Sequence, residues 1–345
     1  MTAAATIIIG DALAALRRLP TGSIDCCITS PPYYGLRNYG IDRQIGLEPS
    51  PDVYVERLRS VFGEVRRVLR DDGTLWLNLG DSYAASRSYQ VTDNKNPAAG
   101  PTYHTGRAKP PPGLKQKDLV GIPWTVAFAL RDDGWWLRQD IIWSKPNPMP
   151  ESVTDRCTKA HEYLFLLAKS ERYYFDSAAI REPSITGDPR RPYASEGAWQ
   201  LDGRPPEQRH GGKPRTAGNK THKYVSEYEG SPSEEHRTKA GLLKISDVPW
   251  EMRNKRSVWE IATAPFPDAH FATFPPALVE PCIKAGCPPG GVVLDPFLGS
   301  GTTALVANRL GRSAIGIELN PDYAAMAHQR LVNDAGLFAE VELVA

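Results

Sequence analysis

The sequence predicts an α/β fold, a mostly parallel sheet with helices on both faces. Short apolar runs alternate along the chain with stretches whose apolar residues recur at helical spacing. Such alternation builds a parallel sheet buried on both sides. Two of the runs, at opposite ends of the chain, also finish in residues that carry chemistry, where parallel sheets place their ligands.

The first strand is expected over Thr6 to Asp11, and Leu13, Leu16 and Leu19 mark a helix behind it. Ile24 to Ser30 is the second strand. Asp52 to Leu69 carries Val53, Leu58, Val61, Phe62, Val65, Val68 and Leu69 on one helical face, with Asp71-Asp72-Gly73 as its expected stop. Gly73 to Gly80 reads as a third strand, Ile122 to Leu130 as a helix, and Trp135 to Trp143 and Glu162 to Leu167 as strands. Pro276 to Ala285 is helical. Val292 to Asp295 is a strand running into the helix Thr303 to Leu310, and Ser313 to Leu319 is the next strand. Asn320-Pro321 then opens a helix, since Asn favours the N-cap and Pro the first turn.

A chain of 345 residues can bury a substantial core. Its net charge of +1 gives no general argument for nucleic acid, so any such argument must be local. The five cysteines show no CxxC spacing, which argues against a zinc site or a disulfide framework and fits a reducing cytoplasm; no metal is expected. Met1 leads into Ala-Ala-Ala-Thr-Ile-Ile-Ile-Gly-Asp, with no basic n-region and too short an apolar run for a signal or a span. A cytoplasmic protein without a membrane partner is expected.

Two segments interrupt the pattern. Residues 84–117 are polar and rich in Pro and Gly, with Arg87, Lys95, Arg107, Lys109, Lys115 and Lys117. Residues 183–256 are similar and carry Arg204, Arg209, Lys213, Arg215, Lys220 and Lys223. Solvated surface loops are the plain reading. The other reading is insertions that track a phosphate backbone, with Tyr89, Tyr103, Trp199 and Tyr224 available to stack or wedge.

Asp295 runs into Pro296-Phe297-Leu298-Gly299-Ser300-Gly301-Thr302-Thr303, where the glycines let backbone approach a ligand. Tight packing of strand on helix would need the same glycines, so the pair alone leaves both readings open. The missing Lys before the hydroxyl residue, which a Walker loop requires, argues against a phosphate loop. An acid at the strand's end also repels a pyrophosphate and suits a cationic amino-acid moiety. Glu318 lies 23 positions after Asp295, close to the spacing of roughly 20 at which a carboxylate takes ribose hydroxyls. S-adenosyl-L-methionine combines the cation and the ribose without a phosphate. Its adenine would lie near Asp11.

At the other end, Ser30-Pro31-Pro32-Tyr33 follows the second strand. A double proline cannot continue a ladder, so a rigid strand exit is its plain reading. Chemistry explains each residue. An exocyclic base amine is a poor nucleophile because its lone pair is delocalised into the ring. Acceptors at its two N–H groups, the Ser30 hydroxyl and the Pro31 carbonyl held by Pro32, favour a pyramidal nitrogen, and Tyr33 offers a face for a flipped base. Covalent methylation of cytosine carbon 5 would use a Pro-Cys thiolate. Pro281-Cys282 lies in a helical run instead, so Cys282 is expected to be buried.

These motifs, in this order, resemble the permuted, β-class DNA amino-methyltransferases of bacterial and phage modification systems. The resemblance runs through Gly10-Asp11-Ala12-Leu13, Asp25 with Thr29 to Tyr33, Arg67-Val68-Leu69, Asp72-Gly73 and Leu79-Gly80-Asp81. It continues with Trp143 to Asn147, His161-Glu162, Tyr174-Phe175-Asp176, His270 to Pro275, Asp295 to Thr303 and Ile315 to Asn320. It covers nearly the whole chain outside the two insertions.

The resemblance implies a Rossmann-like methyltransferase fold, circularly permuted, with the cofactor strand last in sequence yet beside the first strands in space. It implies catalytic-domain parts at 1–182, on the target-base side, and 257–345, on the S-adenosyl-L-methionine side, with a target-recognition insertion at 183–256. Phe271, Thr273, Phe274 and Pro275, the loop Asp295, Pro296, Phe297, Gly299, Ser300, Gly301, Thr302 and Thr303, and Asp11, Glu318 and Asn320 would bind the donor. Ser30, Pro31, Pro32 and Tyr33 would hold the base. Double-stranded DNA would be met by Lys145, Arg204, Arg209, Lys213 and Arg215. A cognate restriction endonuclease is the further partner this class implies, and monomer and homodimer both stay open. Ser30, where many adenine-N6 members have Asp, points to cytosine N4, with adenine N6 as the alternative. A catalytically idle nucleic-acid-binding relative, and a methyltransferase of RNA or of a protein amide, are the rivals; the intact acceptors and basic insertions favour DNA methylation.

Overall fold

The computed structural model describes residues 4–84, 89–91, 102–104, 110–111, 113–184, 252–263, 274–335 and 340–344. The chain divides into two units, Met1–Ile180 with Arg256–Ala345, and Arg181–Lys255.

In the first unit, β1 (Ala4–Ile9) leads to α1 (Ala12–Arg18), which Asp11 caps by accepting from the Ala14 N–H at 2.9 Å. Strand β2 (Ile24–Thr29) follows, then the short β3 (Arg37–Asn38). Helix α2 (Pro51–Val68) starts with Ser50 as N-cap and Pro51 in the first turn, and buries the stripe Tyr54, Val55, Leu58, Val61, Phe62, Val65 and Val68. Next come β4 (Leu69–Leu79), β5 (Tyr89–Val91) and β6 (Thr102–His104). Helix α3 (Ile122–Asp132) precedes the antiparallel pair β7 (Trp136–Ser144) and β8 (His161–Ala168). The second unit contributes the two-residue strands β9 (Glu182–Pro183) and β10 (Met252–Arg253), paired antiparallel. The first unit then resumes with β11 (Val258–Glu260), α4 (Pro276–Gly286), β12 (Val292–Asp295), α5 (Thr302–Arg309), β13 (Ser313–Glu318), α6 (Pro321–Ala335) and β14 (Glu340–Val344).

One sheet runs β11-β7-β8-β4-β2-β12-β13-β1-β14. All its pairings are parallel except those of β8, which runs against both β4 and β7. The late strand β12 lies between β2 and β13, and β13 lies beside β1, so strands early and late in the sequence interleave in this half of the sheet. Two apolar cores cover the faces. Helices α1, α2 and α3 pack on one, and α4, α5 and α6 on the other. Adjacent Cys26 and Cys27 are fully buried and serve opposite cores.

Four features differ from the sequence reading. Asp71-Asp72-Gly73 does not stop α2. The helix ends at Val68, because Leu69 buries its side chain and pairs with Ile24, and β4 runs on through the acids. Strands β5 and β6 lie inside the polar segment 84–117 and form a small sheet with β3. Local pattern does not predict β11 or β14: three residues give β11 no readable period, and β14 is an edge strand with little burial. Among the described residues no helix is long and apolar enough to cross a membrane.

Candidate active site

The carboxyl ends of β2, β12, β13 and β1 share one edge of the sheet. On the donor side, Gly299 and Gly301 adopt left-handed φ of 53° and 80°, which only glycine does without strain. The loop so formed turns from β12 into α5. Glu318, at the end of β13, accepts from the Gly299 and Asn320 N–H groups, both at 2.8 Å. Burial pushes its carboxyl up, and these two bonds oppose the shift. Asn320 accepts from the Asp322 N–H at 2.9 Å, opening α6 as its sequence suggests.

Asp295 has a different place from the one expected. Its carboxylate is 1% exposed and faces the chain, not a ligand-accessible surface. It accepts from the Thr29 hydroxyl at 2.6 Å, the Thr303 hydroxyl at 2.7 Å and the Phe297 N–H at 3.0 Å. Burial pushes its carboxyl up to about 6 even against these donors. Asp295 therefore ties β2 directly to the donor loop and the first turn of α5. Arg330, on α6, escapes a sequence reading because nothing local marks it. Its guanidinium donates to the Ser300 carbonyl at 2.9 Å and to the Ser300 and Thr302 hydroxyls at 3.1 and 3.0 Å, holding the loop from behind.

On the base side, the two prolines leave β2 as a rigid exit. Tyr54 donates to the Pro32 carbonyl at 2.9 Å, fixing the turn from α2. No hydrogen bond from the described residues reaches the Pro31 carbonyl. The Tyr33 hydroxyl donates to Glu162 at 2.6 Å and accepts from the Asn78 amide at 2.7 Å and the Ser30 hydroxyl at 3.4 Å. Asn78 also donates to Glu162 at 2.7 Å. Burial, then the nearby Glu162 charge, pushes the Tyr33 phenol well above its ordinary range, so it remains a donor. Gly80 makes room for this ring: a Cβ there would sit 2.5 Å from Tyr33 Cε2. Sequence motifs flag Glu162 and Gly80 only as parts of a resemblance; their tie to Tyr33 needs the β4–β8 pairing.

The Asn78 side-chain oxygen is buried and without a partner among the described residues. Asn78 lines a small cavity with Ile28, Thr29, Leu164 and Phe274.

The ammonium of Lys145, a residue expected at DNA, pairs with Glu162 and lies 4.3 Å from the centre of the Trp143 ring, with the side chain 18% exposed. The acid on β8 draws it in. Cys282 is a buried helix residue, its thiol donating to the Leu278 carbonyl at 3.1 Å. Phe271, Thr273, Arg204, Arg209, Lys213 and Arg215 lie outside the described residues.

Comparison with known proteins places this architecture. Residues 24–329 match the family described as DNA methylase, of the N6/N4 type, and the chain belongs to that family. It is a DNA methyltransferase. The Type II methyltransferase M.Cfr9I of Citrobacter freundii is 46% identical over 95% of this chain and 87% of its own length. M.SmaI of Serratia marcescens is 42% identical over 94% and 90%. Among solved structures, the PvuII cytosine-N4-specific DNA methyltransferase superposes with a TM-score of 0.57 at 18% identity, covering 100% of this chain and 95% of the other. A DNA modification methylase of Thermus thermophilus, TTHA0409, complexed with S-adenosyl-L-methionine, gives 0.57 at 22%, covering 98% and 97%.

The residues fit that donor. Glu318 ends β13 and Asp11 follows β1, which suits a ligand bearing hydroxyls and an amine and disfavours a pyrophosphate. Among the described residues, the guanidinium that meets the loop, Arg330, is already committed to its oxygens.

Proposed function

We propose that this DNA methyltransferase modifies the exocyclic N4 of cytosine in duplex DNA, at one short fixed sequence, after the base is flipped out. The observation that carries this reading is the pair of neutral acceptors at the exit of β2. The Ser30 hydroxyl and the Pro31 carbonyl stand next to the strand that carries the donor loop, with no carboxylate in the tetrapeptide.

When bound, S-adenosyl-L-methionine supplies an electrophilic methyl group. Gly299 and Gly301 offer backbone to it, Glu318 keeps further lone pairs for ribose hydroxyls, and Asp11 and Asn320 flank the adenine end. Phe271, Thr273, Phe274 and Pro275, with Pro296, Phe297, Ser300, Thr302 and Thr303, complete the cradle. Ser30 and Pro31 accept from the two amine hydrogens, which localises the nitrogen lone pair, and Tyr33 stacks on the base. Positioning supplies most of the catalysis. Flipping costs a few kcal/mol, which phosphate contacts from Arg204, Arg209, Lys213 and Arg215 in a target-recognition segment 183–256 offset. The enzyme then acts in the cytoplasm as the modification partner of a restriction endonuclease.

Nucleoside mass spectrometry of duplex DNA treated with enzyme and labelled donor tests this. Label in N4-methylcytosine is expected. Label in N6-methyladenine would overturn the base assignment, and label in 5-methylcytosine would overturn the chemistry as well.

A further inference from the structure

We infer that Glu162 is a positioning residue that receives, through Tyr33, the proton displaced from the methylated base. The inference rests on the proposed attack by an exocyclic amine. Once the nitrogen has gained its new carbon bond it carries a positive charge and must shed one proton, and a neutral serine cannot keep it. The arrangement behind Ser30 gives that proton a path.

The Tyr33 hydroxyl has one hydrogen and two lone pairs, and all three have partners. Its hydrogen goes to Glu162 at 2.6 Å, and its lone pairs accept from Asn78 at 2.7 Å and from the Ser30 hydroxyl at 3.4 Å. The direction of the chain is therefore set. Ser30 points its hydrogen at Tyr33 and its lone pairs elsewhere, so it meets the amine as an acceptor. Glu162, an acceptor only, ends the chain. Asn78 cannot end it, because the group it turns to Tyr33 is its NH2.

The step balances in one sweep. The base N–H bond breaks and its electron pair stays on nitrogen. That proton bonds to Ser30 Oγ, the former Ser30 proton passes to Tyr33 Oη, and the former Tyr33 proton bonds to Glu162 Oε2. The charge on the base and the charge on Glu162 are both discharged. Among the described residues, two cations face Glu162: Lys145 of β7 pairs with its other oxygen, and Lys159, just before β8, adds a more distant positive charge. Both place positive charge beside the Glu162 carboxylate. Its 15% exposed side chain can return the proton to solvent.

Single-turnover methylation by Y33F, E162Q and the double variant tests the path. Phe keeps the stacking ring, and Gln keeps the size and a hydrogen-bond acceptor but takes no proton. Each single variant is expected to lose about 100-fold in rate, the lower end of what a positioned proton acceptor gives. The double variant should be no slower than either single one. Affinities for donor and DNA should stay within about twofold, and the rise in rate with pH on the acid side should disappear in E162Q. Rates within about twofold of wild type, or losses that multiply in the double variant, would overturn the relay. Wild type that labels no exocyclic amine would overturn the functional reading beneath it, whereas wild type that does so while E162Q keeps its rate and pH profile would overturn the relay alone.

Discussion

The donor loop and the base platform sit on neighbouring strands, yet they use their polar groups in opposite ways. Around the donor loop, Asp295, Thr29, Thr303, Ser300, Thr302 and Arg330 bond to one another or to backbone, and most are buried. The base platform keeps its fastening groups behind it, in Tyr33, Asn78, Glu162 and Tyr54. Its two front oxygens, Ser30 Oγ and the Pro31 carbonyl, have between them one long bond within the described residues. One side presents backbone from a rigid knot, and the other presents unsatisfied acceptors from a rigid turn. The conspicuous acid of a motif can thus be a fastener, while a plain serine does the presenting.

Breaking the knot should have the largest effect. Asp295→Ala leaves two buried hydroxyls and a backbone N–H without their acceptor, at a cost of roughly 3 kcal/mol or more. It should unfold at markedly lower urea, and donor affinity should fall because the loop loses its anchor. Asp295→Asn should remain folded and isolates the charge. The carboxyl titrates near 6 in the fold against an ordinary 3.8. The folded state therefore holds the proton more tightly than the unfolded chain, and this group's contribution to stability is full below about pH 4. It is lost as pH rises through about 6, by up to ~3 kcal/mol. Urea midpoints of wild type and Asp295→Asn from about pH 4 to 7 should converge or cross accordingly. Parallel curves would mean that Asp295 is not the buried titrating group.

That difference also shows what the sequence could disclose. Period and turn residues reveal β2, β12, β13 and α2 to within a residue or two, because burial on one or both faces writes itself into local pattern. They reveal the two motifs because each is contiguous. They do not reveal that Thr29 bonds to Asp295, 266 positions away, since a threonine at a strand end has many uses. Arg330 lies on an ordinary amphipathic helix, and Lys145 looks like a surface cation until β8 places Glu162 beside it. Contacts made across strand order are set by topology, and no local spacing records them.

The base platform should break differently. Ser30→Ala removes an acceptor that matters most as the amine pyramidalises, so turnover should fall on the order of 100-fold while donor affinity stays within about twofold. Ser30→Asp should retain part of the activity, since a carboxylate accepts the same hydrogen bond. Single-turnover rates and equilibrium binding separate the two effects. Normal turnover in Ser30→Ala would remove Ser30 from the chemistry and leave the tetrapeptide as a rigid strand exit.

The smallest effect should come from Arg330→Met, which sharpens the comparison from the donor side alone. The guanidinium makes three bonds to the loop, but it reaches them from α6, and none of the three oxygens bonds to Asp295. Burial already works against its charge, lowering its proton affinity. Replacing it with an apolar side chain of similar length removes both that penalty and the bonds, so global stability should change little, by about 1 kcal/mol or less. What should change is the order of residues 299–302 in the free enzyme, so that fixing them becomes a cost of binding the donor. Donor affinity is expected to fall roughly three- to tenfold with the single-turnover rate at saturating donor unchanged, the signature of lost ground-state binding. A fall in rate at saturation would show that the loop's order reaches the base platform through Thr303, Asp295 and Thr29, and that the two halves work as one.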